Sequence, residues 1–234
     1  RLNTDVDAQP IKLFNNGTEI LQWSERNGWA NIYLYGSDGT LKNNVNNDAY
    51  HVSSIYNVDE KARTVLFSAT GVDKNANPYY THIYKISLSG GAPKRLDEPN
   101  NSSSSVSFSD DGKYFVNNYS RVDNIPKSTR YDANGLKIMD LEEADFSLLF
   151  AAGYKFPEQF KVKAADGITD LWGVMYKPFD FDSTAKYPIL DYVYPGPQVE
   201  GNNITWSCEK FWRLDRLAQI GFIVVTVGNR GGHP

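Results

Sequence analysis

The chain has 234 residues and a formal net charge of -4, with 41% hydrophobic, 22% charged and 14% aromatic residues, enough for a core in one large or two smaller domains. The charge is spread without a basic run or stripe, which argues against nucleic acid as a partner, and no apolar stretch approaches the roughly 18 residues of a membrane span. One cysteine, Cys208, excludes an internal disulfide and no Cys/His spacing suggests zinc, so neither metal nor cofactor is expected.

The opening residues RLNTDVDAQP hold neither an initiator Met nor the apolar region of a signal peptide. A processed chain, or a piece of a longer one, is expected. Asn16, Asn101, Asn118 and Asn203 begin Asn-x-Ser/Thr triplets, which an Asn-rich chain produces by chance.

To about residue 142 the chain is built of short apolar or alternating runs, EILQWSE, ANIYLYGSDG, RTVLFSATG, HIYKISLSGG and SVSFSDDGKYFVNNYS. Each has the length of a strand rather than a helix. Asp38-Gly39, Gly90-Gly91, Asp111-Gly112 and Asn134-Gly135 supply the positive-φ positions that hairpin turns require. Gln22-Trp23-Ser24, Leu66-Phe67-Ser68 and Ser107-Phe108-Ser109 read as an aromatic-serine repeat at strand ends, with intervals of 44 and 41 residues. A propeller blade repeats every 40 to 45 residues or so. Ile32-Tyr33 and Ile83-Tyr84 follow the first two triplets. The alternative is a β-sandwich with coincidental spacing. Three blades cannot close a ring of four to eight, so further blades are expected on the N-terminal side.

After residue 142 the style changes. LEEADFSLLFAAG is helical or irregular, and YKFPEQ reads as a connector. A hairpin is predicted next, with strands at 160–164 and 170–177 about a turn at Asp166-Gly167. YPILDYVY reads as a strand covered on both faces. Phe211, Leu214, Leu217 and Ala218 have helical spacing, with Ser207 as N-cap, Glu209 in the first turn and Gly221 as the stop. FIVVTV at 222–227 completes a βαβ unit of a parallel sheet. The predicted fold is therefore mixed. Residues 1–150 form the C-terminal blades of a β-propeller, and residues 151–234 the first strands and helix of an α/β-hydrolase domain.

No G-x-S-x-G elbow, P-loop, dinucleotide fingerprint or H-E-x-x-H occurs. His51 and His82 read as structural polar residues of the β region, and His233 cannot be placed. One residue has a chemical reading. In α/β-hydrolases part of the oxyanion hole comes from the loop joining the third strand to the first helix, and Tyr194 holds that position, followed by Pro195-Gly196-Pro197. A phenol of pKa ~10 stays protonated at neutral pH and can donate a hydrogen bond to developing negative charge. The alternative is a packing tyrosine at a strand end.

WSERNGWANIYLY (23–35), GGAPKRL (90–96), FSDDGKYFVNNYSRVD (108–123), KAADGITDLWGVMYK (163–177) and YPILDYVYPGP (187–197) together resemble the prolyl oligopeptidase family of serine peptidases. The wording looks most like its dipeptidyl peptidase IV branch, over residues 11 to 231. The resemblance implies a serine exopeptidase that releases short N-terminal peptides, often after proline, with Tyr194 donating its hydroxyl to the oxyanion. It further implies peptide substrates, a periplasmic or secreted location and a possible homodimer. The serine, acid and histidine of the triad would follow residue 234, and the acidic pair that holds the substrate amine would precede residue 1. The segment alone is therefore expected to be inactive. Where the family often has Asp-Gly-Arg-Gly, this chain reads Gly228-Asn229-Arg230-Gly231-Gly232, which suggests a divergent bacterial branch. Arg230 fits the motif's arginine, in a structural role. Two other readings remain: a non-catalytic propeller and pseudo-hydrolase that binds peptides or proteins, and an acylaminoacyl or tripeptidyl peptidase of the same architecture.

Overall fold

The structure, a computed structural model, describes residues 11–193, 204–207 and 213–228. Twelve strands in chain order make three four-stranded sheets, in each of which chain neighbours are sheet neighbours. The first holds β1 (Lys12–Phe14), β2 (Glu19–Ser24), β3 (Asn31–Gly36) and β4 (Leu41–Asn44). The second holds β5 (His51–Asp59), β6 (Thr64–Thr70), β7 (His82–Ser87) and β8 (Lys94–Arg95). The third holds β9 (Ser102–Phe108), β10 (Tyr114–Ser120), β11 (Lys127–Asp132) and β12 (Lys137–Glu143). These are sheets of the propeller-blade type.

Then follow α1 (Ser147–Ala151), β13 (Glu158–Lys163), β14 (Asp170–Tyr176), β15 (Ile189–Asp191), α2 (Leu214–Ala218) and β16 (Ile223–Val227). The fourth sheet has the order β13-β14-β16-β15. β14 pairs antiparallel with both β13 and β16, whereas β15 and β16 are parallel. The chain divides into two compact units, one of Arg1–Asn117 and Thr129–Met139, the other of Asn118–Ser128 and Asp140–Pro234.

The turn glycines behave as their neighbours require: Gly39, Gly90, Gly91, Gly112 and Gly135 all have positive φ. At Gly135 the demand is double, because a Cβ there would also come within 2.8 Å of the Leu96 backbone.

In the first unit, alternation along each strand sorts apolar side chains to two faces. Leu21, Trp23, Ile32 and Leu34 of the first sheet share one buried cluster with Val65, Phe67, Ala69, Tyr84 and Ile86 of the second. The other face of the second sheet, through Leu66 and Ile83, meets Phe115 and Tyr131 of the third. Each fully buried Leu, Ile or Phe adds about 1.5–3 kcal/mol. In the second unit, Val174, Tyr176 and Val224 of the sheet pack against Leu214 and Ala218 of α2, with Val122 beside them.

Two details of the repeat need correction. Trp23 pairs with Ile32 and Phe67 with Tyr84, so the two triplets differ by one residue in register. Trp23 faces the second sheet, Phe67 faces back toward the first, and both fill the same cluster. A one-residue slip reverses the face. The third triplet closes β9, the first strand of its sheet, instead of the second strand. The equivalent pairs are Ile32-Tyr33 and Ile83-Tyr84, both at the start of a third strand with the isoleucine toward the next sheet.

In the second unit, the predicted hairpin is present as β13 and β14. β15 is shorter than expected and not covered on both faces: Ile189 is 69% and Val193 65% exposed. It is the edge strand of the described sheet. α2 starts at Leu214 with Arg213 at the N-cap and no side-chain cap. Ser207 therefore does not cap it, while the predicted positions Glu209 and Phe211 lie outside the described residues. Gly221, with φ 102°, donates its N–H to the Ala218 carbonyl at 3.1 Å and ends the helix as expected.

Candidate functional site at the C-terminal end of the parallel strand pair

β15 is held by its parallel ladder to β16, in the register Ile189 with Ile223, Leu190 with Val224 and Asp191 with Val225. Beyond the strand the Tyr192 N–H donates to the Val225 carbonyl at 2.8 Å. On the other side of β16, Gly173 to Tyr176 of β14 pair with Val227 to Val224. The chain thus leaves the sheet at the C-terminal end of a parallel pair, the end where open α/β sheets bind ligands. Tyr194, two residues past Tyr192, lies outside the described residues, as do Cys208, Arg230 and His233.

The description resumes at Ile204, and the residues there are well tied within the second unit. The Ile204 carbonyl accepts from the Val122 N–H at 3.0 Å. The Trp206 N–H donates to the buried Ser120 hydroxyl at 3.3 Å. The Trp206 indole N–H donates to the Tyr154 hydroxyl at 2.8 Å, and its ring lies 4.5 Å from that of Phe146. Tyr154 in turn contacts Phe156 and Phe179 at 5.5 and 5.4 Å between ring centroids. Burial pushes the Tyr154 phenol up from its ordinary value, against the opposing hydrogen bond from Trp206. At neutral pH it is therefore a hydroxyl that accepts the indole N–H. Arg213 grips Asp215 through Nε at 2.9 Å and Nη2 at 2.5 Å. The cavity among Val122, Tyr154, Tyr176, Trp206, Arg213 and Asp215 measures about 30 Å³, too small for a peptide residue.

The first unit carries a larger recess of about 420 Å³, edged by Asn57, Asp59, Lys61, Lys85, Asp111 and Gly112. Burial, and then the nearby Lys94, pull Lys85 below its ordinary value. Its Nζ donates to Asn134 Oδ1 at 2.9 Å. Its lining mixes the acids Asp59, Glu60 and Asp111 with the lysines Lys61 and Lys85.

The two central histidines are in the β region as read from sequence. His51 lies edge-on to Trp23. His82 is 3% exposed, and its Nδ1 stands 3.1 Å from Asp97 Oδ1. The other Asp97 oxygen accepts from the Ile83 N–H at 3.1 Å and the Ser103 hydroxyl at 2.9 Å. Ser103 thus bonds the acid rather than the imidazole, and the Nε2 of His82 has no hydrogen-bond partner among the described residues. Serine, histidine and aspartate meet here without the nucleophile-to-base contact that acyl transfer requires.

Sequence reading missed a second polar centre. Glu19, only 4% exposed, accepts from the two terminal guanidinium nitrogens of Arg63, Nη1 and Nη2, and from Lys42 Nζ at 3.0 Å. The signal was available, because Glu19 alternates with Leu21 and Trp23 on the inward face of β2. Among the described residues no cluster of three His, Cys, Asp or Glu side chains could hold a metal ion, and no helix is long and apolar enough to cross a membrane.

Comparison with known proteins bears on both units. Residues 5–126 match the family model described as the dipeptidyl peptidase IV (DPP IV) N-terminal region. Dipeptidyl peptidase 8 of Homo sapiens is 32% identical over 189 residues, covering 77% of this chain and 20% of that protein. Dipeptidyl peptidase 4 of Arthroderma otae is 27% identical over 224 residues, covering 92% and 28%. Among solved structures, Porphyromonas gingivalis dipeptidyl peptidase 4 superposes with a TM-score of 0.78 at 25% identity, over 95% of this chain and 30% of that one. A putative dipeptidyl aminopeptidase IV from Bacteroides ovatus gives 0.78 at 24%, over 96% and 34%. The chain spans about a fifth to a third of the length of these relatives.

Proposed function

Because the chain belongs to the dipeptidyl peptidase IV-like branch of the prolyl oligopeptidase family, we propose that it is part of a serine exopeptidase that releases short N-terminal peptides, often after proline. In this reading residues 1–150 are propeller and residues 151–234 open an α/β-hydrolase domain. The observation that carries the hydrolase part is the order β13-β14-β16-β15 with its single parallel pair. The antiparallel hairpin comes first and the parallel strands follow, so that β15 delivers the chain to the ligand-binding end of the sheet.

Acyl transfer there needs a donor for the oxyanion. The nucleophile oxygen adds to the scissile carbonyl carbon, and the carbonyl π electrons move onto its oxygen. A hydroxyl aimed at that oxygen stabilises the tetrahedral intermediate by about 2.7–4 kcal/mol. Collapse restores the carbonyl and expels the amine of the remaining peptide, which takes up the proton given up by the nucleophile's hydroxyl, and water then hydrolyses the acyl intermediate to release the N-terminal peptide. We assign the donor to Tyr194, from its place after β15 and the V-Y-x-G-P wording around it. The test is Tyr194→Phe in the full-length protein, assayed on a chromogenic X-Pro anilide. A fall in kcat of roughly 10²–10³ with KM little changed is expected, and a change under about threefold returns Tyr194 to a packing role. A periplasmic or secreted location and a homodimer are proposed on the family likeness alone, and cell fractionation and light scattering of the intact protein test them.

A further inference from the structure

We infer that Lys85, in the first unit, is a nucleophilic amine at which neutral aldehydes condense, and that the recess beside it admits such molecules while turning anionic ones away.

Lys85 of β7 stands directly opposite Lys94 of β8 in their antiparallel register, and like charges so placed repel each other. Both side chains nevertheless end on one residue. Lys85 Nζ donates to Asn134 Oδ1 and Lys94 Nζ to the Asn134 carbonyl, each at 2.9 Å. Both acceptors are neutral amide oxygens, so neither bond cancels a charge. Lys85 is also half-buried, on the face of β7 that Ile83 turns toward the third sheet. Burial first, and then Lys94, favour the free amine, whereas Asp59 and Asp132 favour the ammonium, and the balance is downward. A lysine desolvated beside another cation is the arrangement that turns an amine into a Schiff-base nucleophile.

The recess, about 420 Å³, is in the range of small-molecule sites. With Lys85 as free amine, its lining sets Asp59, Glu60 and Asp111 against one cation, Lys61. A phosphorylated aldehyde meets net negative charge there, whereas the hydroxyls of a neutral one find acceptors in the same carboxylates. In the reaction the Lys85 Nζ lone pair adds to the carbonyl carbon, and a proton passes from nitrogen to the former carbonyl oxygen. The nitrogen lone pair then expels that hydroxyl, which takes up a proton and leaves as water. Loss of the remaining N–H proton balances the one taken up and gives the imine.

The experiment treats the full-length protein at pH 7 with glyceraldehyde and cyanoborohydride, which reduces each imine to a stable secondary amine. Peptide mass spectrometry then gives the rate at each lysine. Lys113 is the comparison, 73% exposed and with its ammonium held by Asp111, so exposure alone would make it the faster. Lys85 should instead be modified about fivefold faster or more. The lead should shrink as the pH rises and Lys113 loses its proton. Lys94→Gln should cut the lead about two- to threefold. Glyceraldehyde 3-phosphate should modify Lys85 at about a fifth of the rate or less, measured against the exposed Lys155. Modification of Lys85 no faster than that of Lys113 at pH 7 overturns the inference. A lead that survives in urea, where local sequence alone is at work, overturns it too, as does equal reaction with the two aldehydes. The pH and phosphate comparisons use the unaltered protein, so they decide alone if Lys94→Gln does not fold.

Discussion

Replacing Glu19 with glutamine removes one charge from the junction between the first two sheets while keeping the shape of the side chain. The Arg63 hydrogen bond, then Lys42, hold the Glu19 carboxyl down at about 2 against the opposing effect of burial. The folded state therefore binds the proton more weakly than the unfolded chain, whose carboxyl titrates near 4.5. The stabilisation is fully present above that value and disappears as pH falls through the range from 4.5 to 2. A shift of that size corresponds to at most about 3.4 kcal/mol. Arg63 and Lys42 remain 40% and 45% exposed, so solvent screening reduces the contribution to about 1–2 kcal/mol. Glu19→Gln should lower the melting temperature of the first unit by roughly 3–8 °C at pH 7. Melts followed by near-ultraviolet circular dichroism from pH 7 to pH 3 should show the variant and the wild type converging below pH 4.5. Arg63→Gln should reproduce most of the loss, with coupling in the double variant. A difference that stays constant across this pH range would refute the electrostatic account and leave only a packing effect.

Two further predictions concern the first unit. Asp97→Asn leaves one carbonyl oxygen where two carboxylate oxygens now serve His82, Ile83 and Ser103, so it should destabilise by about 2–4 kcal/mol in urea unfolding; a loss under about 0.5 kcal/mol would contradict the buried network. Gly135→Ala combines φ 83° with a Cβ 2.8 Å from the Leu96 backbone and should cost about 2–4 kcal/mol, whereas the same change at Gly39, where nothing lies within 4 Å, should cost about 1 kcal/mol; equal losses would show that backbone strain alone is at work.

Strand positions and turns were legible because they depend on neighbours in sequence. Asp38-Gly39 and Asp111-Gly112 announce hairpins whatever the rest of the chain does, and the observed strands begin and end around them. The facing of side chains was less legible. The Trp23 and Phe67 triplets look alike, yet they point to opposite faces of their own sheets, because one residue of register decides the face. Pairing across long separations left no local trace: nothing near His82 or Asp97 in sequence announces that they meet. β15 was read as a doubly covered strand from its apolar run, but Ile189 and Asp191 share a face that the described sheet leaves exposed. The segment Asn118–Ser128 runs from the end of β10 to the start of β11, yet it groups with the second unit, which no local pattern announces. At the candidate site, the strand leading to Tyr194 was legible, and the anchoring of Trp206 on Ser120 and Tyr154 was not, since those partners lie 86 and 52 residues away.

Sheets packed face to face share no backbone ladder, so apolar contact between them resists separation but only weakly resists sliding. The polar contacts of the first unit fall where that weakness would matter. Arg63 reaches Glu19, and the Asn43 amide donates to the Leu88 carbonyl at 2.8 Å, between the first and second sheets. The Trp23 indole N–H donates across the same junction to the Val52 carbonyl at 2.7 Å. Between second and third, Ser103 reaches Asp97, and Lys85 and Lys94 both end on Asn134. Directed bonds of this kind contribute only about 1 kcal/mol each, yet each is satisfied in one relative placement of the sheets. The Ile32 and Ile83 faces supply the stability of the stack, and these long-range side chains select its register.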